Sequence, residues 1–198
     1  MCIRDRVSIR EILAHGELMR LNFGVFALHL TQMAMFVVIP SALIRFAQLP
    51  LAEHWKIYLP VVIASFVLML PPIFIGEKRG KSKQVFVAAI ALLLLVQIGM
   101  WLALSQTQLH AAWLVGLLLA FFVAFNILEA SQPSLVSRIA PPGSKGTALG
   151  VYNTLQALGL FCGGALGGWL TQHVGGASVF VLGSALCVVW LIIAANMK

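Results

Sequence analysis

Residues 57–104 read IYLPVVIASFVLMLPPIFIGEKRGKSKQVFVAAIALLLLVQIGMWLAL. From Ile57 to Ile75 no residue is charged, Gly76 to Lys83 hold five charges, and Gln84 to Leu104 again hold none. A helix rises 1.5 Å per residue, so about 20 apolar residues cross the ~30 Å hydrocarbon layer of a bilayer. Two runs of that length joined by a short basic corner predict a membrane helical hairpin. In lipid every backbone amide has to be satisfied inside its own segment, so helices are required. No part of the chain alternates as a barrel strand does.

Working outward, four more segments have the same character. The expected spans are Leu21–Phe46, Ile57–Ile75, Gln84–Leu104, Ala111–Val136, Thr147–Gln172 and Ala177–Asn196. Pro50, Gly76, Gly80, the Pro141-Pro142-Gly143 run and Gly175-Gly176 mark the corners, where chain breakers belong. The 198 residues are 61% hydrophobic and only 10% charged, too apolar for the surface of a soluble domain. Residues 1–20 form a polar segment expected in the cytosol, and 21–198 one six-helix transmembrane domain. The opening MCIRDR is expected to be artefactual over residues 1–6. Cys2, Cys162 and Cys187 form no disulfide framework and no metal-ligand pattern, so no metal or cofactor is expected. No phosphate-binding loop, paired-histidine metal helix or nucleophile elbow occurs, so no enzyme is expected.

The net charge of +7 is not spread as on a nucleic-acid-binding face. With an inside N-terminus, eleven of the thirteen Lys and Arg fall on the cytosolic side: Arg4, Arg6, Arg10, Arg20, Lys78, Arg79, Lys81, Lys83, Arg138, Lys145 and Lys198. Only Arg45 and Lys56 fall outside. Basic loops stay cytosolic, so both termini are expected inside a bacterial inner membrane and nucleic acid is not an expected partner. Pro40-Ser41-x-x-x-Arg45 closes the first span and Pro133-Ser134-x-x-x-Arg138 the fourth, at opposite faces. That is the trace an inverted three-plus-three repeat would leave.

Polar residues inside spans are costly and therefore informative. His29 and Gln32, Asn126 and Glu129, and Asn153 and Gln156 are each three apart, which puts each pair on one helix face. Counted from Arg20, Arg138 and Lys145, all six lie roughly 12–18 Å deep. One shared level on three helices points to a hydrophilic pathway for a small-molecule substrate and protons. Glu129 is the only acid well inside a span, which makes it the natural proton carrier. The plainer reading is that these groups only tie helices together, as polar side chains in membranes also do. Gly150, Gly159, Gly163, Gly164, Gly167 and Gly168 crowd the fifth span, where small residues allow backbones to approach closely.

Gly76-Glu77-Lys78-Arg79-Gly80-Lys81 resembles the acidic–basic–x–Gly–basic loop of the major facilitator superfamily, with Glu77 for the usual aspartate and Ile73 where a glycine is usual. Lys145-Gly146-Thr147-Ala148-x-Gly150 and the glycine run after it are similar to the eleventh helix of drug–proton antiporter-like members. Phe125-Asn126-x-x-Glu129-Ala130 with Pro133-Ser134-Leu135 looks closest to the YajR-type branch. The resemblance implies an all-α fold, half of a twelve-helix transporter, with the lipid bilayer and a missing N-terminal six-helix half (or a second copy) as partners. It implies proton-coupled export by alternating access, a gating loop at Glu77, Lys78, Gly80 and Lys81, and cavity-lining first and fourth helices. Two other readings stay open: a non-transporting membrane scaffold, and a half-transporter working as a homodimer.

Overall fold

The computed structural model describes residues 9–106 and 110–197. The expectation for residues 1–6, with Cys2, Arg4 and Arg6, lies outside the described residues, as does Lys198. A short helix α1 (Ile9–Ala14) leads into six long helices, α2 (Gly16–Ala47), α3 (Trp55–Lys78), α4 (Ser82–Leu104), α5 (Ala111–Ile139), α6 (Lys145–His173) and α7 (Ala177–Ala195). No strand occurs among the described residues. The six long helices correspond one to one with the six expected spans. The first differs most, starting at Gly16 instead of Leu21. His15 caps it by accepting from the Leu18 amide through Nδ1, and Glu17 pairs with Arg20 one turn on at 2.8 Å, so polar residues extend the helix. α3 runs through Pro71 and Pro72 and ends only at Lys78. Gly80 follows at φ +63°, a conformation glycine takes at no steric cost, and α4 begins at Ser82.

Among the described residues five segments are long and apolar enough to cross a membrane: α2, α4, α5, α7, and Leu51–Lys78, which joins a 3₁₀ turn to α3. α6 is as long as α5 but not among them. Its glycines, Thr147, Asn153, Thr154, Gln156, Thr171 and Gln172 dilute its apolar content.

α2 is the most buried of the five, with 61% of its apolar window inside the fold against 17% for Leu51–Lys78. Its largest partner is α6. A Cβ on Gly159 would sit 2.5 Å from the Phe26 carbonyl oxygen, and one on Gly167 2.7 Å from Ala34 Cα. A Cβ on Gly163 would run into the Leu30 backbone. These three glycines, spaced by four, let the two backbones touch along Phe26, Leu30 and Ala34. Gly150 and Gly168 face open space and Gly164 meets only Met33 Cγ at 3.7 Å. The next largest contacts pair α4 with α7, α4 with α5, α3 with α5, α2 with α7 and α2 with α5. Arg20 donates to the Asn196 carbonyl, and Lys83 to the carbonyls of Ala195 and Met197, so cations from α2 and α4 close the C-terminal end of α7.

Gly163→Ala therefore lowers the thermal midpoint of the purified chain, with overpacking of about 1–3 kcal/mol. Gly150→Ala is neutral or stabilising by about 0.5–1 kcal/mol. Unfolding followed by tryptophan fluorescence checks the pair, and equal effects at the two sites would dismiss the close seam.

Candidate functional site: a polar cluster across three helices

The glycine seam carries α6 past α2 so that Gln156, one turn before Gly159, reaches His29. Gln156 Nε2 lies 2.8 Å from His29 Nε2 and donates to Glu129 Oε1 at 3.3 Å. His29 Nδ1 lies 3.0 Å from the Val25 carbonyl oxygen. A carbonyl can only accept, so Nδ1 carries a proton, and in the neutral ring Nε2 is left to accept from the Gln156 amide. Glu129 Oε2 stands 3.5 Å from the same Nε2 and accepts no hydrogen bond among the described residues. Three side chains from α2, α5 and α6 thus meet at one imidazole nitrogen. Phe125, one turn before Glu129, presents its ring edge-on to the imidazole at 5.6 Å.

The cluster is asymmetric in its access. The His29 side chain is 5% exposed and that of Glu129 34%. Glu129 is partly exposed, yet its Oε2 is buried on the side of the histidine. A proton arriving at the carboxylate has a nitrogen within reach, and the amide between them contacts both groups.

The other expected residues separate from this centre. Asn126 donates to Ser65 Oγ on α3 at 2.9 Å, and Ser65 donates back to the Val62 carbonyl at 2.7 Å. Gln32 is partly buried and Asn153 exposed, and neither makes a side-chain hydrogen bond among the described residues. The structure adds a pair that the pattern of threes did not include. Gln132, three residues after Glu129 and fully buried, accepts from the Tyr152 hydroxyl at 3.2 Å. Ser65 gave no signal, because a serine that bonds its own helix is cheap in an apolar span.

At the basic end of the bundle Glu77 pairs with Arg138 of α5 at 3.1 Å, both well exposed. The pair closes over a cleft of about 160 Å³ that Ser82, Ser131 and Ser134 help to line. Lys78 and Lys81 are exposed and take no part in the pair.

Known membrane transport proteins are similar to this chain in sequence. The chain is 45% identical over 191 residues to the inner membrane transport protein YajR of Escherichia coli K12, over 96% of the chain and 41% of that protein. This chain is a relative of YajR. It is 26% identical over 182 residues (92% of the chain, 45% of the relative) to an uncharacterized transporter of Buchnera aphidicola subsp. Baizongia pistaciae. It is 27% identical over 186 residues (94% and 43%) to the multidrug resistance protein MdtH of Aeromonas salmonicida. No family model matches the chain. The similarity to YajR bears out the resemblance to major facilitator transporters drawn from the loop and the glycine-rich helix. The chain spans less than half the length of these curated relatives.

Removing either end of the central contact should cost about as much as removing both. In a double-mutant cycle on His29→Ala and Gln156→Ala, a coupling of about 1 kcal/mol is expected from the shared hydrogen bond. Chemical denaturation in detergent measures it, and strictly additive effects would mean the two groups do not interact.

Proposed function

We propose that this chain is one six-helix half of a proton-coupled secondary transporter of a bacterial inner membrane, exporting a small molecule by alternating access. One observation carries the reading: Glu129, an acid in the middle of an apolar span, faces a histidine and a glutamine from two other helices. A carboxyl group has no place in hydrocarbon unless it is paired, wetted or protonated. Here the partner is itself able to take the proton. When Glu129 is charged, a protonated His29 donates from Nε2 to Oε2 and the Gln156 NH2 group, left without an acceptor at Nε2, turns away from the ring. When the proton moves to Glu129, Nε2 accepts from Gln156 as found. Gln156 thereby links the protonation of α5 to the position of α6.

Several features support the half-transporter reading. α6 is taken as a span as well, beside the five apolar ones: its glycine face is buried on α2, and Leu158, Phe161, Leu166 and Trp169 are exposed. α3 leaves Leu59, Ile63, Phe66, Val67 and Phe74 exposed in the same way, in want of a second bundle or lipid. The helix contacts are nearly preserved when α2, α3, α4 are exchanged with α5, α6, α7: α2·α6 becomes α5·α3, and α2·α7 becomes α5·α4. This near-symmetry supports the three-plus-three repeat. The positive-inside count supports termini on the cytosolic side. YajR is named an inner membrane transport protein and MdtH a multidrug resistance protein, which agrees with export of a small molecule.

A second reading, a static tie in a membrane scaffold, draws on the near-complete burial of His29. The two part at Glu129→Gln, which keeps the size and the hydrogen bonds of the side chain but carries no proton. In the whole transporter, reconstituted in vesicles with an imposed pH gradient, ethidium flux is expected to fall at least about tenfold, while assembly is unchanged. Flux equal to that of the unsubstituted protein would favour the tie.

A further inference from the structure

The corner between α3 and α4 separates its charges. Glu77 turns toward α5 and is taken up by Arg138. Lys83 turns toward the end of α7 and donates to its carbonyls. Arg79 and Lys81 go to neither; they have no ion pair among the described residues and lie on the rim of a separate groove of about 300 Å³. Pro72, Ile75 and Gly76 of α3 and Val85 and Ala88 of α4 line this groove, and Gln84 completes its polar edge. It opens where the uncharged runs 57–75 and 84–104 meet the basic loop, which is headgroup depth in a bilayer. The groove is made possible by Gly76, where a Cβ would stand 2.6 Å from Val85 Cγ2.

We propose that this groove binds an anionic phospholipid of the leaflet on the basic side. One acyl chain lies along Pro72, Ile75, Val85 and Ala88, and the phosphate sits between the Arg79 guanidinium and the Lys81 ammonium, with the Gln84 amide as a further donor. The pairing of an apolar trough with two uncompensated cations selects this occupant. A zwitterionic lipid has the chain but no net charge to offset the two cations, and free phosphate has the charge but no chain. The bound lipid would brace the outer side of the same loop whose inner side is held by the Glu77–Arg138 pair.

The test is thermal unfolding of the purified 198-residue chain in detergent, with dioleoyl phosphatidylglycerol, dioleoyl phosphatidylcholine or inorganic phosphate added. Phosphatidylglycerol is expected to raise the midpoint by about 5 °C near saturation, with little or no rise from the other two. The rise is lost in the double variant Arg79→Gln, Lys81→Gln and also in Ala88→Trp, which fills the trough and leaves both charges. It persists in Arg45→Gln, Lys56→Gln, which removes the same charge at the opposite end. A full rise in either groove variant overturns the site. A rise of the same size from phosphatidylcholine or from phosphate alone overturns the anionic lipid as its occupant.

Discussion

A carboxyl group within an apolar slab has to be neutralised, paired or reached by water, and that constraint organises three of the six long helices. Translocon measurements put an acid at the centre of a span at about 2.5–3.5 kcal/mol, and an unpaired buried charge costs more. Glu129 meets the constraint by converging with His29 and Gln156, so α5 is tied to α2 and α6 at one level. The contact is arranged around one imidazole nitrogen that the Val25 carbonyl leaves without a fixed role. A simple structural tie needs no group that changes role. This one has a histidine whose free nitrogen faces an amide on one side and a carboxylate oxygen on the other.

The glycine seam makes that convergence possible. Gln156 lies on the same stripe as Gly159, Gly163 and Gly167, and its amide reaches His29 because those three carry no side chain between the backbones. The same substitution pattern explains why α6 is less apolar than its neighbours. Its inward face is glycine where another helix would carry leucine, while its outward face keeps Leu158, Phe161 and Trp169. Packing by close approach in place of large side chains is what a membrane interior favours, since lipid tails are as apolar as leucine.

Much of this was legible in the residues. Long apolar runs pointed to six long helices, and their ends differ from expectation most where a local polar interaction extends the helix, as at His15 and Glu17. Spacing by three put His29, Glu129 and Gln156 on helix faces, and their depth put them on one level. Spacing does not tell which of two residues on a face reaches a neighbour, and Gln32 and Asn153 are the members that do not. Gly159, Gly163 and Gly167 were equally indistinguishable from Gly150, Gly164 and Gly168, because which glycines meet α2 depends on the rotation of α6. The Tyr152–Gln132 and Asn126–Ser65 pairs join residues far apart in the chain or silent in pattern, and only the packing reveals them. The basic loop is a like case: its composition shows one acid among four cations, but the partner of Glu77 comes from α5, 61 residues away.

The central claim is that the His29–Glu129–Gln156 cluster belongs to a pathway open to water in the assembled protein. Cysteine accessibility examines it directly: Gln156→Cys, with the native cysteines changed to serine, is treated with a charged, membrane-impermeant thiol reagent in oriented vesicles. The account predicts modification from at least one side of the membrane. Resistance to that reagent from both sides, with or without an imposed pH gradient, alongside reaction with a small apolar one, would contradict it.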